Sequence, residues 1–153
     1  MDNLQYHYPT VTIPYNHTTC KEAIYMGEKG QLKQNGVHLK EHEYSTVKLF
    51  LNRGYDIELI PASQIKGMQT PDIIMLNKPW EMKSPTGCGK TTIRHTIQNA
   101  GHQSRNVIID LRRCKLDRNT AIKEIEIYFK EFKRIRFLKV IVDDEIIVDY
   151  IKN

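Results

Sequence analysis

TPDIIMLNKPWEMKSPTG, Thr70 to Gly87, sets Asp72, Glu81 and Lys83 among Ile, Met, Leu and Trp. A two-residue turn at Asn77-Lys78 makes two short strands of it, Asp72–Leu76 and Pro79–Lys83. In that register Leu76 faces Pro79, Ile74 faces Glu81 and Asp72 faces Lys83. Strand side chains alternate between faces, so Asp72, Glu81 and Lys83 share one face, while Trp80 and Met82 turn the other way into the core. Opposed and diagonal neighbours lie about 5 and 7 Å apart, close enough for three side chains to meet at one ion. The same pattern describes the polar face of a half-exposed sheet.

The surrounding sequence supplies the rest of a domain. Upstream, HLKEHEYSTVKLFLNRG has apolar residues at Val47, Phe50 and Leu51 and a plausible helix-ending glycine at Gly54. One turn before Val47 is Glu43, on the inner face of that helix. YDIELI is an alternating strand and ASQIKGMQT a loop. Downstream, the periodicity predicts a helix from about Lys90 to Gln103 with Ile93, Ile97 and Ala100 on one face. NVIIDL reads as a central buried strand, and NTAIKEIEIYFKEF as a helix burying Ile122, Ile125, Phe129 and Phe132. RFLKVIV and EIIVDYI read as closing strands around Asp143-Asp144. The fold class is α/β, a mixed β-sheet flanked by helices. Residues 1–37, with their early Tyr, Thr and Pro and the polar MGEKGQLKQNG, read as an N-terminal arm or extension, and 38–153 as the domain.

The chain has 153 residues, 40% hydrophobic and 27% charged, enough for one core without disulfides or structural zinc. No apolar run reaches membrane-spanning length, and the first residues lack the basic and apolar segments of a signal peptide. A cytoplasmic start is expected, with delivery to another cell left to other machinery. Cys20, Cys88 and Cys114 lack zinc spacing and are expected as reduced thiols. The net charge is +5 and the pI about 9.1, which favours nucleic-acid partners. Lys90, Arg94, Arg105, Arg112, Arg113, Lys115 and Arg118 lie in one stretch opposed only by Asp110 and Asp117. That run is either a solvated face or a phosphate track.

Metal-assisted phosphodiester hydrolysis needs hard oxygen ligands, a group that serves the attacking water, and positive charge for the phosphate. Asp72 and Glu81 supply oxygens, Lys83 the charge or the base, and Glu43 could add a third carboxylate; the written form is PD-x8-E-x-K. SPTGCGKTT imitates a nucleotide-binding loop but has Ser84 where the pattern requires Gly. It reads better as a turn whose amides and Lys90 approach a phosphate. His42 or His95 could serve a metal-independent ribonuclease, although a lone helical histidine is more often structural. Gln98, one turn after Arg94, could touch substrate or water.

These residues resemble a family. TPDIIMLNKPWEMKSPTG followed by NVIIDLRRCKL is similar to the C-terminal tRNA-nuclease domain of CdiA contact-dependent growth inhibition toxins, in the branch with a type IIS restriction-endonuclease-like fold. The resemblance covers roughly residues 38 to 153. It implies a PD-(D/E)xK core and a metal-dependent ribonuclease acting on tRNA. Asp72, Glu81 and Glu43 would bind the ion, with Glu41 as the alternative acid. The ion would be Mg²⁺, with Mn²⁺ or Zn²⁺ as alternatives. Lys83 would serve the water or the transition state, and Arg112 and Arg113 would hold RNA phosphates. A cognate immunity protein is the implied partner. A DNA endonuclease of the same fold and a non-catalytic basic binding module are the rival readings.

Overall fold

The structure is a computed structural model and describes residues 27–153. Its elements are β1 (Leu32–Lys33), α1 (Glu41–Asn52), β2 (Ile57–Leu59), β3 (Ile73–Met75), β4 (Lys78–Lys83), α2 (Thr92–Gln103), β5 (Asn106–Asp110), α3 (Arg118–Glu131), β6 (Phe137–Ile141) and β7 (Ile147–Ile151). The seven strands form one mixed sheet in chain order. β1 and β2 are parallel, as are β4, β5 and β6; the pairs β2–β3, β3–β4 and β6–β7 are antiparallel. The α/β class and the helix-flanked mixed sheet expected from periodicity are what the chain adopts. Most of the expected 1–37 segment lies outside the described residues; within them, β1 pairs with β2 and Leu32 and Val37 pack on the core.

Two apolar layers enclose the sheet. On one face α1 packs Val47 and Phe50 against Ile57, Ile73, Trp80, Ile108 and Ile141. On the other, α2 and α3 pack Ile93, Ile97, Ala100, Ile125 and Phe129 against Val107, Ile109, Leu138 and Val140. The helix faces read from 3.6-residue spacing are therefore the buried ones, with Ile122 and Phe132 at the margin. β5 is buried along its whole length because helices cover both of its faces. Each fully buried aliphatic side chain in these layers contributes roughly 1.5–3 kcal/mol.

The hairpin corrects the expected register by two residues. Ile73 pairs with Trp80, Ile74 with Pro79 and Met75 with Lys78, so the turn is Leu76-Asn77. Both turn residues have positive φ, 56° and 57°, the backbone that matches the twist of paired strands. Asparagine tolerates that conformation; leucine does so under strain, with its side chain packed on the core margin. Lys78 thereby joins β4, its ammonium 3.9 Å from the Phe137 ring centroid, and the Trp80 indole N–H donates to the Met75 carbonyl at 2.8 Å. A two-residue shift keeps face parity within β4, so Glu81 and Lys83 still share a face opposite Trp80 and Met82. Asp72 no longer faces Lys83; it stands at a bend just before β3.

β4 changes partner midway. Its first half pairs with β3, and Glu81, Met82 and Lys83 pair with Val107, Ile108 and Ile109 of β5. The Pro79 carbonyl, short of β5, accepts from Asn106 Nδ2 and Ser104 Oγ instead, which accounts for two of the buried polar side chains.

Gly30 shows how closely the start of the described chain is seated. Its N–H donates to the Leu51 carbonyl, and a Cβ there would stand 1.8 Å from the Tyr55 carbonyl oxygen. Gly30→Ala is expected to destabilise the domain by about 1–3 kcal/mol, measured as a lower urea midpoint with unchanged slope.

Candidate active site

Glu81 is 2% exposed. Its face of β4 is covered by α2, so the polar residues of WEMK do not form a solvated sheet face. One carboxylate oxygen, Oε1, lies 2.6 Å from Lys83 Nζ; the other, Oε2, is buried with no hydrogen-bond partner. Lys83 is half-buried, at the open end of the strand. Asp72 is pinned by its backbone and its side chain. Its amide donates to the Trp80 carbonyl at 2.9 Å, its carbonyl accepts from the Ile60 amide at 2.9 Å, and its Oδ2 accepts the Met82 amide at 2.7 Å. The side chain thus replaces a strand carbonyl where β3 diverges from β4, and the Asp72 carboxylate is held beside that of Glu81.

Two carboxyls this close in a water-poor site do not both ionise readily, and the proton is favoured on Glu81: Asp72 raises the proton affinity of Glu81, whereas Glu81 lowers that of Asp72. Burial pushes Glu81 up to about 7, the Asp72 charge adds to the rise, and the bond from Lys83 opposes it. Burial also raises Asp72 above its ordinary range, against the Met82 amide and Lys83, with Glu43 contributing further repulsion. Glu43 comes from the first turn of α1, where its Oε2 accepts the Lys40 amide at 2.8 Å as a helix cap. Glu41 is exposed at the start of the same helix.

Among the described residues, no three carboxylate, imidazole or thiolate groups already stand together as a metal-ligand set. The reason is visible in the bonding: Glu43 is turned to its cap and Glu81 to Lys83. The donor set nonetheless fits a hard cation. Asp72 and Glu81 present oxygens to one place, and the unpartnered Glu81 Oε2 has an unmet need for positive charge or a proton.

Lys90, Arg94 and Gln98 are exposed, the last two one turn apart on α2, so they can meet a ligand approaching from solvent. His42 is on α1 and the exposed His95 on α2, helices on opposite faces of the sheet, so the two histidines are not brought together. Arg113 is exposed. Arg112 is engaged within the protein: Nε and Nη2 donate to Asp110 at 3.0 and 2.7 Å, and Nη1 to Asp144 at 2.9 Å.

That engagement belongs to a network with a role the sequence reading missed. Asp110 ends β5, is 3% exposed, and accepts the Thr46 hydroxyl of α1 at 2.7 Å. Burial raises its proton affinity, but the bonds from Arg112 and Thr46 outweigh burial and hold it below the usual carboxylate range. The network ties α1 to the sheet one turn after Glu43 and so sets where Glu43 sits. The available signal was an acid closing a wholly apolar strand with an arginine two residues later.

The family profile of the contact-dependent growth inhibition CdiA C-terminal domain matches residues 69–147, just over half of the chain. No curated protein sequence matches significantly. Among solved structures, the chain is similar to a chain of the CdiA-CT/CdiI toxin and immunity complex from Burkholderia pseudomallei, with a TM-score of 0.60 and 17% identity over 80% of this chain and 100% of that one. At that identity the likeness is one of fold.

The raised Glu81 carboxyl has a definite pH signature. The folded, metal-free protein holds a proton that the unfolded chain releases between 4.5 and about 7. Stability from this group is therefore complete below 4.5 and is lost as pH rises through about 7. Glu81→Gln is expected to shift the balance toward the variant by on the order of 2 kcal/mol between pH 5 and pH 8. Chemical denaturation in EDTA at both pH values measures it.

Proposed function

Because the chain belongs to the contact-dependent growth inhibition CdiA C-terminal domain family, we propose that it is a toxin-like nuclease of the PD-(D/E)xK kind that hydrolyses tRNA phosphodiester bonds with a divalent metal ion. The observation that carries the reading is the buried Glu81, with one oxygen on Lys83 and the other unpartnered, beside an Asp72 fixed by the Met82 amide. A carboxylate in that state is poorly accommodated without a cation.

Asp72 and Glu81 would hold the ion, Mg²⁺ being the best match to hard oxygen ligands. Glu43 would join them by giving up its cap on Lys40. Bound there, the ion supplies Lewis acidity and charge neutralisation to the phosphoryl group. The protein's own groups do the rest. The Met82 amide keeps the Asp72 carboxylate aimed. Lys83, released from sole pairing with Glu81, orients the attacking water and offsets negative charge developing on the phosphate. The exposed Lys90, Arg94 and Gln98 draw the RNA backbone to the open end of β4. Arg113 joins them, whereas Arg112 acts through Asp110 by fixing α1.

A nuclease active inside its producer requires restraint, and a cognate immunity protein covering this site is the partner we propose. Among the described residues no helix is long and apolar enough to cross a membrane, so entry into a target cell would rest on other machinery.

Purified protein incubated with total tRNA and Mg²⁺ is expected to give discrete fragments on a denaturing gel. EDTA abolishes them, and Lys83→Ala slows their appearance by about 100-fold or more. Plasmid nicked while tRNA stays intact would move the substrate to DNA; full cleavage in EDTA would remove the metal from the mechanism. A second readout needs no turnover. Mg²⁺ is expected to raise the melting temperature of the wild type at pH 8 and to leave a Glu81→Ala variant unchanged.

A further inference from the structure

Two loops at the C-terminal ends of the parallel strands β4 and β5 touch through sulfur. One runs from Lys83 to α2 and carries Gly87-Cys88-Gly89 and Lys90; the other runs from Asp110 to α3 and carries Cys114. The Cys114 Sγ lies 3.7 Å from the Gly87 carbonyl oxygen, to which its thiol donates a weak hydrogen bond. Cys88 is the next residue along, and both thiols are free.

The two cysteines are held differently. Cys114 is buried against the core under α2 and α3, and its amide donates to the Leu111 carbonyl at 2.9 Å, closing a turn. Cys88 is exposed. Its flanks are seated on the first residue of α2: a Cβ on Gly87 would stand 2.7 Å from Thr92 Oγ1, and the Gly89 carbonyl accepts the Thr92 amide at 3.1 Å. Between these two glycines the backbone of Cys88 can turn at little steric cost. Across the trans peptide, the Gly87 carbonyl oxygen is about 2.8 Å from the Cys88 Cα, so the Cys114 Sγ is within roughly 6.5 Å of that Cα. The two Cα atoms are then at most about 9 Å apart, and a disulfide holds them about 4.4–6.8 Å apart. A movement of at most about 2–4 Å at Cys88 spans the difference.

We propose that Cys88 and Cys114 form a redox-sensitive lock, a disulfide that ties the loop after β4 to the loop after β5 in an oxidising medium and releases it in a reducing one. The chemistry is exchange with a small-molecule disulfide such as oxidised glutathione. The Cys88 thiolate attacks one glutathione sulfur, the S–S bond breaks, and one glutathione thiolate leaves. The Cys114 thiolate then attacks the Cys88 sulfur and expels the second glutathione. Two protein thiols give up two electrons and two protons, and one oxidised glutathione becomes two glutathione thiols. Excess reduced thiol, the condition of the cytosol, runs the exchange backward. The lock restrains the segment between Lys83 and Lys90, and it stands whether or not the domain cleaves RNA.

The test is equilibration of the full chain with oxidised glutathione, followed by non-reducing peptide mapping, melting and brief trypsin treatment. A monomer with peptide 84–90 joined to peptide 114–115 is expected. Cys20, outside the described residues, is the internal competitor. The melting temperature is expected to rise by roughly 5–10 °C, since the bond closes a long loop in the unfolded chain. Native trypsin cutting after Lys90 is expected to slow by about tenfold. Dithiothreitol reverses both effects. Cys88→Ser removes an exposed thiol, is expected to fold as the wild type does, and loses both effects. Cys114→Ala is expected to stop at a glutathione adduct on Cys88. A wild type that does not react, stops at that adduct, links Cys88 to Cys20 or to a second chain, or forms the bond with melting and cutting unchanged would overturn the lock.

Discussion

The structure turns on the change of partner along β4. Up to Trp80 the strand belongs to a hairpin; from Glu81 onward it belongs to the parallel sheet. On the β3 side, the Met82 amide is taken by the Asp72 side chain. A carboxylate is thus obliged to stand beside Glu81, and α2 keeps water from that face. Burial and the neighbouring Asp72 together raise the proton affinity of Glu81, an effect built by backbone geometry.

A second carboxylate is handled in the opposite way. Asp110 is as deeply buried as Glu81, yet it is matched by Arg112 and Thr46 and stays ionised. The pairing joins α1, β5 and the turn bearing Asp144. Breaking such a pair leaves an uncompensated buried charge, so its geometry is stringent. The contrast separates roles. The satisfied carboxylate fixes the position of a helix and stays ionised, whereas Glu81, with one oxygen unpartnered, holds its proton to higher pH.

The elements were largely legible because they depend on near neighbours. Ile93, Ile97 and Ala100 repeat at helical spacing and are all buried; NVIID is continuously apolar and is covered on both faces. The hairpin register was not legible. Leu76-Asn77 and Asn77-Lys78 both put Asn77 in the turn, and a slip of two preserves the alternation of faces, so the apolar pattern cannot choose between them. Contacts of Trp80 with Met75, and of Lys78 with Phe137, accompany the turn that forms. Arg112 read as a phosphate ligand because a basic run looks the same whether its charges are free or paired.

By itself, then, the sequence determined an α/β chain with Asp72, Glu81 and Lys83 on one hairpin, since side-chain periodicity is a property of adjacent residues. Tertiary structure alone decided which of the charges are neutralised. Thr46 meets Asp110 across 64 positions and Arg112 meets Asp144 across 32, and α2 folds over Glu81 from beyond a loop. Whether a carboxylate is a solvated ornament, a structural anchor or a ligand site depends on its dielectric surroundings and its counter-charges, and the folded chain supplies both.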